Sequence, residues 1–168
     1  MSLGDRAFLV RPSLSAAQAR RIVDDAVTQA AALLVSVSVA VVDESGVIKE
    51  FTRMDGAPLV SIESAVHKAY AAAATGMPPD EFFAAVESDP AAVAWFAHGR
   101  GLALVAGGLP LVVDGEIAGG VGVAGAVTGA EDRRIAEAAA GGAGASRWPR
   151  KDRSRCQTSV ADGATPST

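Results

Sequence analysis

The sequence predicts one α+β domain, with a mostly antiparallel sheet of about five strands and helices packed against it. Three observations carry that expectation. The chain has 168 residues, 49% of them apolar, which suits a single domain with one sizeable core. Two turns, Glu44-Ser45-Gly46 and Asp114-Gly115, each join runs rich in β-branched residues and read as hairpins. The segments around them carry apolar residues at helical spacing instead. Aromatic residues make up only 5%, while Gly numbers 18, so the core is expected to be built from small side chains in close contact. Residues 1–13 read as a flexible arm, 14–142 as the domain and 143–168 as a disordered basic tail.

Each element has its own signal. Ser15 and Gln18 form an S-x-x-Q capping box. Ala19, Ile22, Val23, Ala26, Ala30, Leu33 and Leu34 then follow along one helical face. Val35 to Asp43 alternates and reads as a strand; Val47 to Arg53 returns as its hairpin partner. Met54-Asp55-Gly56-Ala57-Pro58 breaks the pattern before a helix over Leu59 to Thr75, stopped by Gly76 and Pro78-Pro79. Ile62, Ala65, Val66, Ala69 and Ala73 form its inward face. Ser61, Ser64 and Lys68 line one flank, and Glu63, His67 and Tyr70 line the other. Asp80 to Trp95 reads as one or two short helices interrupted near Pro90, followed by a loop at His98 to Gly101. Leu102 to Ala106 is expected as a strand, then Leu109 to Val113 and Glu116 to Val123 as the second hairpin. Thr128 and Glu131 make a second capping box for a helix to about Ala140. Helices are expected on one sheet face. The other would be left for a ligand or a second subunit, so a homo-oligomer is expected.

The formal charge of −4 is uneven: residues 1–142 hold 10 basic and 17 acidic residues, and the rest hold 5 and 2. So acidic a body argues against nucleic-acid binding, which needs clustered Lys and Arg. Cys156 is the only cysteine, which excludes an internal disulfide and a cysteine metal cluster. No apolar run is long enough for a membrane span, and the first residues lack a secretory pattern, so the cytoplasm is the expected location.

Gly120, Gly122 and Gly125 stand in G-x-G-x-x-G spacing. A dinucleotide site needs a strand before those glycines, a helix opening on them, and a second strand. Here the glycines lie within and just after a strand, with no second strand following, so the nucleotide reading fails. Strand glycines instead let a helix, a subunit or a flat ligand approach the backbone.

The hairpin VSVAVVDESGVIKEFTRMDGAP, the helix SIESAVHKAYAAA, the segment GGLPLVVDGEIAGGVGVAGA and the closing EDRRIAEAA occur in this order. Together, from Leu14 to Ala140, they resemble the GlcG/HbpS-like family. That resemblance implies a profilin/PAS-like α/β/α arrangement around a five-stranded antiparallel sheet, and assembly into multimers. Some members bind haem, and a related domain ends certain corrinoid adenosyltransferases. The chain departs from the common pattern where V-S-G-G is usual and Val123-Ala124-Gly125-Ala126 stands, so that a serine hydroxyl is missing, at Glu131, where glutamine is usual, and at His67.

Three functions stay open. In the first, the chain is a small-ligand-binding protein, with haem or another tetrapyrrole as ligand. Haem iron needs an axial His, Met, Tyr or Cys, which makes His67, Tyr70, His98, Met54 and Met77 candidates; His67 is the sharpest. Arg53, Met54, Asp55, Glu63, His67, Lys68 and Tyr70 would surround the ligand, over a floor that includes Gly107 and Gly108. In the second, a cofactor-independent enzyme of isomerase, hydratase or lyase type acts on a small oxygenated catabolite. Arg53 would hold a carboxylate, while Lys68 and His67 would move protons. In the third, the chain is a structural assembly module. The bland alternatives pair His67 with Glu63, and join Arg53, Asp55 and Lys68 in an ion-pair network. G-x-S-x-G, H-E-x-x-H and Walker motifs are absent.

Overall fold

The computed structural model describes residues 10–98 and 101–142. The expected tail, 143–168, most of the expected arm, and Gly99 and Arg100 lie outside the described residues. In chain order the elements are α1 (Ala16–Ala32), β1 (Ser38–Asp43), β2 (Ile48–Arg53), α2 (Ser61–Thr75), α3 (Pro79–Val86), α4 (Pro90–His98), β3 (Gly108–Val113), β4 (Glu116–Ala124) and α5 (Gly129–Gly142). No helix among the described residues is long and apolar enough to cross a membrane.

Local chemistry sets these bounds. Ser15 Oγ accepts from Gln18 N at 3.2 Å and starts α1. That helix ends with Leu34 N on Ala31 O and Val35 N on Ala30 O, which leaves Leu34 left-handed at φ 58°. Glycine is usual there, and a side chain costs roughly 1–2 kcal/mol. In the β1–β2 turn, Asp43 Oδ1 accepts from Ser45 N and Val47 N at 3.1 and 2.9 Å. At α5 the capping box is reciprocal: Glu131 N donates to Thr128 Oγ1 at 3.3 Å, and Thr128 N to Glu131 Oε2 at 3.1 Å.

The sheet is fully antiparallel in the order β2-β1-β4-β3. Among the described residues it has four strands rather than the expected five. Leu102 to Ala106 does not pair, because it is crossing between layers. Gly101 lies beside the rings of Tyr70 and His67 on α2, whereas Ala106 lies against Gly129 at the start of α5. Only at Gly107, whose carbonyl accepts from Val123 N at 2.8 Å, does the chain join β4.

Helices cover both faces of the sheet, not one. Residues of α1 and α5 pack with Val39, Val41, Leu111, Val121 and Val123. On the opposite face Ala65, Ala69 and Ala73 of α2 pack with Ala40, Val42 and Ala124. Every residue of β1 is buried, as a strand between two helical layers must be. The depth of α2 on β4 is set by glycine: a Cβ on Gly120 or Gly122 would overlap the carbonyl oxygens of Ala69 and Ala65. The glycine-dense stretch is therefore a seat for a helix.

Gly122→Ala should lift α2 from the sheet and cost roughly 1–3 kcal/mol, as overpacked cores do. Urea unfolding should show a lower midpoint with an unchanged slope. Gly141→Ala, where nothing lies within 4 Å of the added Cβ, should show no loss.

Candidate functional site

The residues expected to form one site are divided by the fold among four environments. Lys68, Gly107 and Gly108 are inside. Lys68 Nζ donates to Asp132 Oδ2 at 2.8 Å and to Val123 O at 2.9 Å. The two side chains are only 5% and 7% exposed. Asp132 Oδ1 also accepts from Ala126 N at 3.0 Å. The pair thus ties α2, the end of β4 and α5 together. Gly107 makes room for it: a Cβ there would stand 2.9 Å from Lys68 Nζ and 2.8 Å from Asp132 Cβ. A Cβ on Gly108 would meet Lys68 O at 2.6 Å and Pro79 Cγ at 2.8 Å. In this structure both glycines pack against protein.

Arg53 and Asp55 lie at one end of the sheet, exposed. The Arg53 guanidinium clasps its own loop, with Nε and Nη2 donating to Ala57 O at 3.1 and 2.6 Å. Met54 lies with the apolar cluster of α1 and α5, across the sheet from α2. The network of Arg53, Asp55 and Lys68 is not formed among the described residues, because Lys68 turns inward to Asp132. Met77 is half-buried just after α2, and the side chain of His98 lies outside the described residues.

Glu63, His67 and Tyr70 share the outer face of α2, as their spacing predicts. His67 and Tyr70 stand side by side: a Cβ on Gly101 would be 3.8 Å from His67 Cδ2 and 3.7 Å from Tyr70 Cδ1. Gly46, in the β1–β2 turn, closes on the other edge of the Tyr70 ring, where a Cβ would come within 2.6 Å. Tyr70 stays 37% exposed and His67 is half-buried. Val66 of α2 and Phe51 of β2 are half-buried and pack against the cluster of Ala40, Val42, Ala65 and Ala69 beneath the helix. Glu63 does not pair with His67, and among the described residues the imidazole has no hydrogen bond or ion pair. No group of three or more His, Cys, Asp and Glu side chains among the described residues converges to hold a metal ion.

Asp132 was not among the site residues expected from the sequence, and Gly46 and Gly101 were read only as turn and loop residues. A signal for Asp132 existed: it shares a helical face with Ile135, Ala136 and Ala139, all buried. An aspartate on such a face requires a cation or donors beside it. Nearby, Arg133 anchors α3 through Asp80 at 2.6 Å and Glu81 at 2.7 Å, and reaches Glu137 at 3.1 Å. Partial burial opposes its charge, yet Glu81, Glu137 and Asp80 together raise its pKa.

Removing one partner of the buried pair should be costly. Asp132→Ala should lower stability by about 3–5 kcal/mol, because Lys68 is left charged and dry. Denaturant melts of Lys68→Met/Asp132→Leu should recover much of that loss. A double variant as unstable as the single one would contradict this account.

Three solved structures resemble the fold with sequence support. The Klebsiella pneumoniae protein ORFY superposes with a TM-score of 0.76 at 25% identity, covering 87% of this chain and all of that one. A double mutant of Streptomyces reticuli HbpS gives a TM-score of 0.74 at 31% identity, with 84% and 95% covered. A structure described as a PduOC–haem complex gives 0.71 at 32% identity, with 77% and 94% covered. Among curated proteins none matches. The family model described as "Haem degrading protein HbpS-like" matches residues 14–141, the whole sandwich from Leu14 almost to the end of α5. The chain belongs to the HbpS-like family.

Proposed function

We propose that the chain is a small-ligand-binding protein that takes haem or another tetrapyrrole on the outer flank of α2. The observation that carries this reading is the pairing of His67 with Tyr70 beside Gly101. A haem site needs an available axial donor and an apolar surface for the ring. His67 is half-buried and bonded to nothing among the described residues, while Tyr70, Val66 and Phe51 supply aromatic and aliphatic surface. Gly101 and Gly46 bring their backbones against the two edges of the Tyr70 ring and so hold it in place beside His67. These residues fit the group. The PduOC–haem complex and the family description add support.

Haem would bring an iron centre; the chain's part is to bind and orient it. His67 Nε2 or Nδ1 would offer a nitrogen donor to the iron, and Tyr70 would offer aromatic surface to the macrocycle. Arg53, Asp55, Met54, Gly107 and Gly108 are spread over other parts of the fold, so the proposal rests on the α2 flank alone. A cofactor-independent enzyme would use Lys68 as its base. Its ammonium already serves Asp132 and Val123 O, which favours ligand binding over catalysis.

Titrating purified protein with haemin should give a saturable shift of the Soret band. His67→Ala should remove or move that band while the far-ultraviolet circular dichroism stays unchanged. Absence of any saturable shift in the unmutated protein would falsify the ligand assignment. An unchanged spectrum in His67→Ala would keep haem binding and reject His67 as axial donor.

A further inference from the structure

The segment between α2 and β3 leaves α2 and then comes back to it. It departs at Gly76, which ends the helix at φ 68° with its N–H on Ala72 O. That point is six residues past Tyr70, roughly 9 Å along the axis. It returns at Gly101, beside the rings of His67 and Tyr70. Between these points stand α3 and α4. The base of α3 is fixed: Arg133 of α5 holds Asp80 and Glu81, and Pro79 packs on Gly108. The hold on α4 is lighter. Asp89 Oδ1 caps its start by accepting from Ala91 N at 2.9 Å. Phe96 meets Phe82 of α3 edge-on, with ring centroids 5.0 Å apart.

The composition of α4 does not match its position. Its sequence, PAAVAWFAH, holds no Asp, Glu, Lys or Arg. A helix apolar on every side belongs in an interior. Yet none of residues 90–96 is buried, and Trp95 is 75% exposed. The contact with Phe82 accounts for Phe96 and leaves Trp95 uncovered. Trp95 stands in the last turn of α4. The helix ends at His98, three residues before Gly101, a span of at most about 11 Å. An uncovered tryptophan is therefore carried close to the His67–Tyr70 pair.

We propose that α4 is the second wall of the ligand site on the α2 flank, and that Trp95 covers the face of the macrocycle turned away from α2. The assignment rests on the tetrapyrrole reading above. A helix flank touches one face of a flat ligand, whereas small-molecule sites bury roughly 70–90% of what they hold. The flank alone is incomplete. Among the described elements α4 supplies what it lacks: an uncharged helix, rich in small apolar groups, in a segment tied to α2 on both sides. A tryptophan laid against a planar π-system gains stacking contact and removes its own apolar surface from water. The exposed turn Glu87-Ser88-Asp89 lets α4 swing while α3 stays on Arg133. An anionic lipid surface is a poorer match for Trp95, because Glu81, Glu87 and Asp89 are exposed on and between the same two helices. The wall acts on escape of the ligand and not on the donor to the iron, so its signature is the release rate.

Haemin release to excess apomyoglobin, followed at the Soret band, tests the wall apart from His67. Trp95→Ala and Trp95→Glu should release haemin roughly tenfold faster or more than the unmutated chain. Their bound Soret maximum should not move, since His67 is intact. Trp95→Phe should restore most of the slow release. Amide hydrogen exchange across residues 90–96 should slow when haemin binds. Haem-free melting temperatures should match, because Trp95 is exposed. Saturable haemin binding with equal release rates from Trp95→Ala and the unmutated chain overturns the wall and leaves the flank reading standing. Unslowed exchange in α4 does the same. A lowered haem-free melt in Trp95→Ala would make Trp95 a structural residue and also reject the wall. No saturable Soret shift in the unmutated protein overturns the wall and the flank reading together.

Discussion

The position of α2 depends on how closely its backbone meets β4. Gly120 and Gly122 offer no side chain, and Ala65, Ala69 and Ala73 offer only methyl groups, so helix and strand touch almost backbone to backbone. Close contact of many small groups substitutes here for the large side chains that the composition lacks. It also fixes what surrounds the seam. Lys68 follows directly in the helix and is drawn into the interior with it. Its charge then needs a carboxylate within reach, and Asp132 supplies one from α5. The missing side chain at Gly107 leaves the passage through which they meet. Three glycines and one ion pair therefore act as a single constraint.

Much of this frame was legible in the residues because it is local. Hairpin turns, capping residues and helical periodicity act over a few positions, and both hairpins and the main helices fall where they were expected. The glycines of β4 could be read as an invitation to close approach, but the sequence does not say what approaches. A helix, a subunit and a flat ligand all require the same missing Cβ. The fifth strand failed for a related reason. Leu102 to Ala106 has strand-like composition, but it must travel from the outside of α2 to the sheet, and a chain crossing between layers cannot also pair along an edge.

The candidate site divides along the same line. The stripe of Glu63, His67 and Tyr70 follows from helical spacing alone, and the structure keeps it on one face. Lys68 is one residue from His67, yet a step of about 100° around the helix turns it from the outer flank into the interior. Its partner is 64 positions away in sequence, a separation no local pattern spans. Arg53 and Met54 are adjacent in a strand and just past it, so their side chains part to opposite faces of the sheet. Neighbouring motif residues thus served three different purposes, and only their environments separate them.

The anchoring of α2 also bears on how its outer flank and the end of the sandwich at Val60 relate. Val60 precedes the first turn of α2, and His67 lies seven residues on, roughly 10 Å along the axis. Coupling between them requires an element with two arrangements that both events bias. A helix seated on glycine and pinned through Lys68 has little freedom to shift or rotate, since either motion breaks the buried pair or drives methyl groups into the β4 backbone. The parts free to respond are the segments laid over its outer flank, the β1–β2 turn at Gly46 and the crossing segment from Gly101. The turn touches Tyr70, whereas the crossing segment runs from Tyr70 and His67 to Ala106, which lies against Gly129 at the start of α5. The crossing segment, and not the helix, is therefore the element that joins the outer flank of α2 to that end of the fold.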